Sequence, residues 1–160
     1  MKYYIFDLDD TLILHKNNIN YNWISEDKEL IYYLNQLENC YIYTNGNKNH
    51  ALAILNKMNL LNLFNKIYSI DTIPYSKPYI KSFQIVNNDI IKYHNKIQEN
   101  NDKFIFFDDQ LINLKSASNI GWYTIWIHDN YYEKYKYNFI NLSFRNIIEA
   151  LKYLEKNDIK

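Results

Sequence analysis

Lys2-Tyr3-Tyr4-Ile5-Phe6-Asp7-Leu8-Asp9-Asp10-Thr11-Leu12 is the stretch on which the reading of this chain turns. Tyr3 to Phe6 is an apolar and aromatic run of the length of a buried strand, and it ends abruptly in a cluster of acids. Unpaired carboxylates are expensive to bury, so the cluster demands a cation or a polar cavity. In an open α/β sheet, ligands bind in the crevice beyond the carboxyl ends of the strands. Asp7, Asp9 and Thr11 therefore stand where chemistry would take place.

The same grammar recurs downstream. Lys103-Phe104-Ile105-Phe106-Phe107 is the clearest strand in the chain, and it ends in Asp108-Asp109. Cys40-Tyr41-Ile42-Tyr43 predicts another strand, closed by the turn Thr44-Asn45-Gly46. Ile67 to Ile70 and Trp122 to Ile127 complete five. Between them, apolar residues at helical spacing predict helices. The first is capped by Ser25 and runs to about Glu38; a second carries Ala51, Ile54, Leu55 and Met58 and breaks at Asn59 to Asn65. A third starts near Tyr79, after a loop bracketed by Pro74 and Pro78 that presents Lys77. A fourth, with Leu111 and Leu114, stops at Gly121; a last one is capped by Ser143. Asn-rich Ile13 to Asn22, polar Lys96 to Asp102 and Tyr-rich Asp129 to Asn138 read as excursions or loops. Strands alternating with helices mean a mainly parallel sheet covered on both faces, a Rossmann-like three-layer α/β/α sandwich. No repeat or Pro/Gly/Ser linker divides the chain, so residues 1–160 are expected to form one domain.

Composition excludes some functions. Lys plus Arg and Asp plus Glu each number 18, and a net charge of zero argues against a dedicated nucleic-acid binder. The single cysteine, Cys40, cannot form an internal disulfide and reads as a small core residue, which fits a reducing, cytoplasmic setting. The N-terminus lacks the cationic and apolar regions of a signal peptide. No apolar run approaches the ~20 residues of a membrane span. Asn, Ile, Lys and Tyr abound and share A/T-rich codons, so the 17 tyrosines are read as stand-ins for other apolar residues.

Strand ends and adjoining loops thus bring together Asp7, Asp9 and Thr11, Thr44 and Asn45, Lys77, and Asp108 and Asp109. Several carboxylates hold a hard cation, and Mg²⁺ suits few protein ligands plus water and phosphate oxygens. A lysine, a hydroxyl and an amide supply donors for the remaining phosphate oxygens. One aspartate left beside the phosphorus can attack it, and another two residues later can act as general acid and then base. His15, His50, His94 and His128 offer no metal-ligand spacing and are read as structural or surface residues.

These residues carry a resemblance. The chain resembles the haloacid dehalogenase superfamily of phosphohydrolases over essentially its full length. Phe6-Asp7-Leu8-Asp9-Asp10-Thr11-Leu12 is similar to the superfamily's first motif, Thr44-Asn45-Gly46 to its second and Lys77-Pro78 to its third. Phe107-Asp108-Asp109-Gln110-Leu111-Ile112-Asn113 resembles the fourth in its double-aspartate form. The resemblance implies Asp7 as nucleophile and metal ligand, and Asp9 as acid/base with its backbone carbonyl on the metal. It implies Thr11 as an orienting residue, Thr44 and Asn45 as phosphoryl binders within a turn that includes Gly46, and Lys77 as the neutralising cation. Asp109 and Asp108 would complete the Mg²⁺ site, supported by Asn113; Asp10 stays outside the set as a turn residue.

A narrower likeness, to pyrimidine 5′-nucleotidase-like members, lies in Tyr43 to Ala51, in Asn113-Leu114, in Gly121-Trp122-Tyr123-Thr124, and in Lys77-Pro78 followed by Phe83. Such members carry a substrate-selecting cap, whereas the intervals Leu12–Cys40 and Gly46–Lys77 have no room for one of ordinary size. The expectation is a capless phosphomonoesterase acting on a small phosphorylated substrate, with a 5′-nucleotide as one candidate and residues 13–22 as a minimal lid. Its alternatives are a phosphatase for macromolecular substrates, phosphoprotein or nucleic-acid end, and a catalytically silent binding protein. Partners in the membrane are not expected, and the oligomeric state stays open.

Overall fold

A computed structural model of the chain describes residues 1–14, 24–94, 99 and 101–159. Strands β1 (Lys2–Phe6), β2 (Cys40–Tyr43), β3 (Lys66–Tyr68), β4 (Lys103–Asp108), β5 (Tyr123–Ile127) and β6 (Leu142–Phe144) form one sheet in the order β3-β2-β1-β4-β5-β6. Every neighbouring pair is parallel. Phe6 sits at the junction, in register with Ile42 on one side and Phe107 on the other.

The sandwich follows from alternation along each strand. Phe6, Ile42, Ile105, Phe107, Ile125 and Ile127 face one layer, packed on Leu30, Leu34, Ile54, Leu55 and Leu151. Those residues come from helices α1 (Lys28–Leu34), α2 (Lys48–Lys57) and, last in the chain, α5 (Ile147–Lys156). Tyr3, Ile5, Tyr41, Tyr43, Phe104, Phe106 and Trp126 face the other layer, which holds Phe83, Val86 and Ile90 of α3 (Ile80–Tyr93) and Leu114 and Ala117 of α4 (Leu111–Asn119). Each such side chain fully buried contributes about 1.5–3 kcal/mol relative to exposure. Tyr3, Tyr41, Tyr43 and Tyr68 are fully buried, so these tyrosines do serve as core residues. Cys40 is buried too, and burial pushes its thiol up to about 12.

Several local expectations need correction. The sheet has a sixth strand where five were expected: Ser143 lies within β6 rather than capping a helix, and Asn146 caps α5 by accepting from the Glu149 N–H. Asp27, not Ser25, caps α1, and that helix ends at Leu34 rather than near Glu38. The break at Asn59 to Asn65 and the Tyr-rich loop each contain a 3-10 turn, Leu61–Leu63 and Tyr131–Lys136. The lid expected over residues 13–22 falls, beyond Leu14, outside the described residues. Among those described, the passage from β1 to β2 contains α1 alone, and that from β2 to β3 contains α2 and a 3-10 turn.

The strand order decides where the site lies. From β1 the chain builds outward through β2 and β3, then returns to the other side of β1 and builds outward through β4 to β6. The order reverses between β1 and β4, and a crevice opens at such a switch point. Asp7 and Asp108 flank it.

Candidate active site

Beyond β1 the backbone turns back on itself. The Leu8 carbonyl accepts the N–H groups of Leu12 and Ile13 at 3.0 and 3.1 Å, and Asp10 takes the left-handed conformation with φ 59°. Aspartate is among the few residues that tolerate this conformation, which accounts for Asp10 as a turn residue. The turn brings Thr11 under the strand end, where its hydroxyl donates to Asp7 Oδ2 at 3.3 Å and lies 3.5 Å from Asp109 Oδ1.

Lys77 reaches the crevice from the loop before α3. Its Nζ donates to Asp7 Oδ1 and to Asp108 Oδ2, each at 2.8 Å, and the side chain is only 1 % exposed. Burial on its own would drive the proton off. The two carboxylates, Asp108 ahead of Asp7, outweigh that and hold the ammonium above the ordinary lysine range. The Tyr43 and Phe106 rings line its approach, with centroids 5.2 and 5.4 Å from Nζ. Asn45 fixes the loop itself: its amide donates to the Lys77 carbonyl at 3.0 Å and its carbonyl accepts the Lys77 N–H at 2.9 Å. The Asn45 carboxamide, expected at the phosphoryl, is thus engaged in holding the lysine.

Asp108 is fully buried at the end of β4. Besides Lys77, it accepts from Asn113 Nδ2 at 3.1 Å on both oxygens and from the Gln110 N–H at 2.8 Å. Two carboxylate oxygens offer roughly four acceptor positions, so protein donors fill this group. Asn113, expected to support metal waters, therefore orients Asp108. Asp109 is less enclosed and is anchored by its main chain, whose carbonyl accepts from Trp126 Nε1 at 2.9 Å. Asp7, Asp108 and Asp109 each offer an oxygen within 4.8 Å of the others. Burial pushes the Asp7 carboxyl up; Lys77 pulls against that and Asp108 adds to it, leaving a value of about 7. Burial, and then Asp108, raises Asp109 to about 6.

At the end of β2, Thr44 is buried, its hydroxyl oxygen accepting the Gly46 N–H at 3.0 Å and keeping its proton to donate. The first turn of α2 contributes a residue that sequence reasoning assigned to structure or surface. His50 Nε2 lies 2.9 and 3.0 Å from the two oxygens of Asp9. The signal that could have found it is the tight sequence Gly46-Asn47, which starts α2 right at the strand end and turns the helix's first turn inward. Of the predicted site residues, the structure brings Asp7, Thr11, Lys77, Asp108 and Asp109 together, with Asn45 on the Lys77 backbone and Asn113 on Asp108; the Asp9 carboxyl meets His50, and Thr44 bonds the Gly46 N–H.

Comparison with known proteins bears on the family and the fold. A family model for haloacid dehalogenase-like hydrolases matches residues 13–127, a span that begins just past the Asp7–Thr11 turn. No curated protein matches at a significant level. Among solved structures, the HAD-hydrolase YfnB from Bacillus subtilis, bound to magnesium, is similar with a TM-score of 0.59 at 22% identity. The alignment covers 79% of this chain and 52% of that one, so this chain spans about half of that relative. A HAD-superfamily hydrolase from Ehrlichia chaffeensis has a TM-score of 0.63 at 15% identity, covering 96% of each chain. A HAD phosphatase from Thermococcus onnurineus has a TM-score of 0.61 at 22% identity, covering 83% of this chain and 60% of that one.

Proposed function

The chain belongs to the haloacid dehalogenase-like hydrolases, and from that premise we propose that it is a phosphomonoesterase working through an aspartyl-phosphate on Asp7. The observation that carries the proposal is the buried Lys77 ammonium bridging Asp7 and Asp108 across the switch point. A cation so placed favours the ionised form of a nucleophilic carboxylate against its burial and meets the charge of an incoming phosphoryl group. The carboxylates of Asp7 and Asp109, clustered with Asp108, offer oxygen donors of the kind a hard cation takes, which fits Mg²⁺. Bound there with the Asp9 carbonyl, Mg²⁺ supplies positive charge against the phosphoryl oxygens. Asp7 and Asp109 are the direct carboxylate ligands in this reading, since protein donors already fill Asp108.

An Asp7 oxygen attacks phosphorus, and the bond from phosphorus to the ester oxygen breaks. Asp9, two residues on, gives its proton to that leaving oxygen. The ionised Asp9 then takes a proton from water, whose oxygen attacks the phosphorus; the bond to Asp7 breaks, and phosphate leaves. Thr44 donates its hydroxyl to the transferring group, Thr11 steadies Asp7, and Asn45 holds Lys77 in place.

The substrate class in this proposal is a small phosphomonoester in a single, capless domain, with a 5′-nucleotide a candidate through the narrower likeness in Tyr43 to Ala51. An intracellular setting is supported by the lone buried thiol of Cys40; among the described residues no helix is long and apolar enough to cross a membrane. A second reading, a macromolecular phosphate ester, is favoured by the short passages that flank the crevice.

The test is Asp7→Asn assayed on p-nitrophenyl phosphate with Mg²⁺, alongside circular dichroism. Turnover should fall on the order of a thousandfold or more with the fold intact. EDTA should abolish wild-type activity and Mg²⁺ restore it. An Asp7→Asn variant as active as wild type rejects the mechanism.

A further inference from the structure

The Asp9–His50 contact asks for a reason. Asp9 lies beyond the end of β1, where its backbone makes a single bridge to Ile13, and its side chain is 30% exposed. A carboxyl there has rotamers that point into solvent, yet a general acid must face the leaving oxygen at hydrogen-bond reach. His50 meets both Asp9 oxygens with one nitrogen, at 2.9 and 3.0 Å, and a single partner atom centred on both oxygens sets the plane of the carboxyl group.

Two further features serve that contact. Asn47 caps α2 by accepting the His50 N–H at 2.8 Å, which anchors the histidine backbone in the helix's first turn. Gly46 supplies room. Among the described glycines only Gly121 has a positive φ, so Gly46 is not required by its backbone conformation. A Cβ at position 46 would instead lie 3.0 Å from His50 Cδ2 and 3.6 Å from Asp9 Oδ2. The glycine of the Thr44-Asn45-Gly46 turn is where the imidazole passes on its way to Asp9.

We infer that His50 is a positioning residue for the general acid: its imidazole, anchored by the Asn47 cap and admitted by Gly46, aims the Asp9 carboxyl at the leaving oxygen. The inference rests on the phosphomonoesterase reading and deepens it. Aim matters most where protonation matters most. A p-nitrophenolate departs with little help, whereas an alkoxide departs only as it is protonated.

The experiment compares wild type, His50→Ala and His50→Gln on p-nitrophenyl phosphate and on glycerol phosphate, an alkyl monoester, with Mg²⁺. For His50→Ala, kcat/KM on the alkyl ester, which reports the step in which the leaving oxygen departs, should fall by about tenfold to a hundredfold, the scale of a misaimed catalytic group. On the aryl ester kcat/KM should fall about threefold or less on the same reasoning. Glutamine places an N–H near the position of Nε2, so His50→Gln should recover most of the alkyl-ester rate. In an Asp9→Asn background, His50→Ala should add nothing, since the two act as one unit. A uniform loss of kcat/KM on both esters, no loss at all, or an additive effect in the Asp9→Asn background overturns the inference. An active wild type with an indifferent His50→Ala rejects this inference alone, whereas a wild type inactive on both esters with Mg²⁺ rejects the parent reading with it.

Discussion

An ammonium ion is tolerable in the Lys77 position only because two carboxylates meet it, and removing either kind of partner leaves a buried charge. Asp7 is the costly member: its folded value of about 7 lies above the 3.8 of an unfolded chain. Between those limits the folded state holds a proton that the unfolded state has released, so stability from this group declines as pH rises through the window and levels off above it. Asp7→Asn removes the titration. Thermal midpoints of the metal-free wild type and Asp7→Asn should diverge with rising pH, wild type losing ground between 3.8 and about 7. A difference that stays constant across that range shows that Asp7 does not titrate there. At this scale the acids and Thr44 are legible because each follows a strand, where an uncompensated charge has no cheap structural use, whereas Lys77, in the loop before α3, is marked by its Pro-bracketed loop and by the resemblance. The His50–Asp9 pair is not legible in the same way: it joins positions 41 residues apart and depends on where α2 begins.

Among the elements, β1 and β4 announce themselves, since both are aromatic runs that end in acids and both lie in the middle of the sheet. β6 does not: it is three residues long, half-buried throughout, and joined to a neighbour on one side only. Short edge strands carry little apolar pattern, because one side of the pairing and much of the side-chain surface face water. Cap assignment fails for a different reason. Ser25 and Asp27 are equally good cap residues, and only the backbone decides; the Asp27 carboxylate accepts from Glu29 and Leu30 at 3.0 and 3.1 Å. Asp27→Ala should therefore cost about 1 kcal/mol in urea unfolding, and Ser25→Ala under about 0.5 kcal/mol. Equal losses at the two positions would return the cap to Ser25.

For the whole molecule, the short passages out of β1 and β2 leave the Asp7–Lys77–Asp108 crevice without a folded unit above it among the described residues. An uncovered site discriminates by the phosphoryl group more than by what carries it. A panel of free 5′-nucleotides, phosphopeptides and 5′-phosphorylated oligonucleotides should show kcat/KM values for nucleotide and peptide within about tenfold, a preference of no more than about 1.4 kcal/mol. Oligonucleotides should lag, because a chain of zero net charge offers their phosphates no excess of cations. A nucleotide preference above a hundredfold would place a selecting surface outside the described residues. Parallel strands that all point one way have a further effect. The Met1 ammonium binds Asp102, Lys2 pairs with Asp158, and Lys103 donates to the Ile159 carbonyl, so both ends of the described chain gather at the edge of the sheet where the strands begin. The reacting groups lie at the opposite edge. A surface anchor or fluorescent reporter joined at either end would thus stand a full strand length from the chemistry, making immobilised assays of this protein practical.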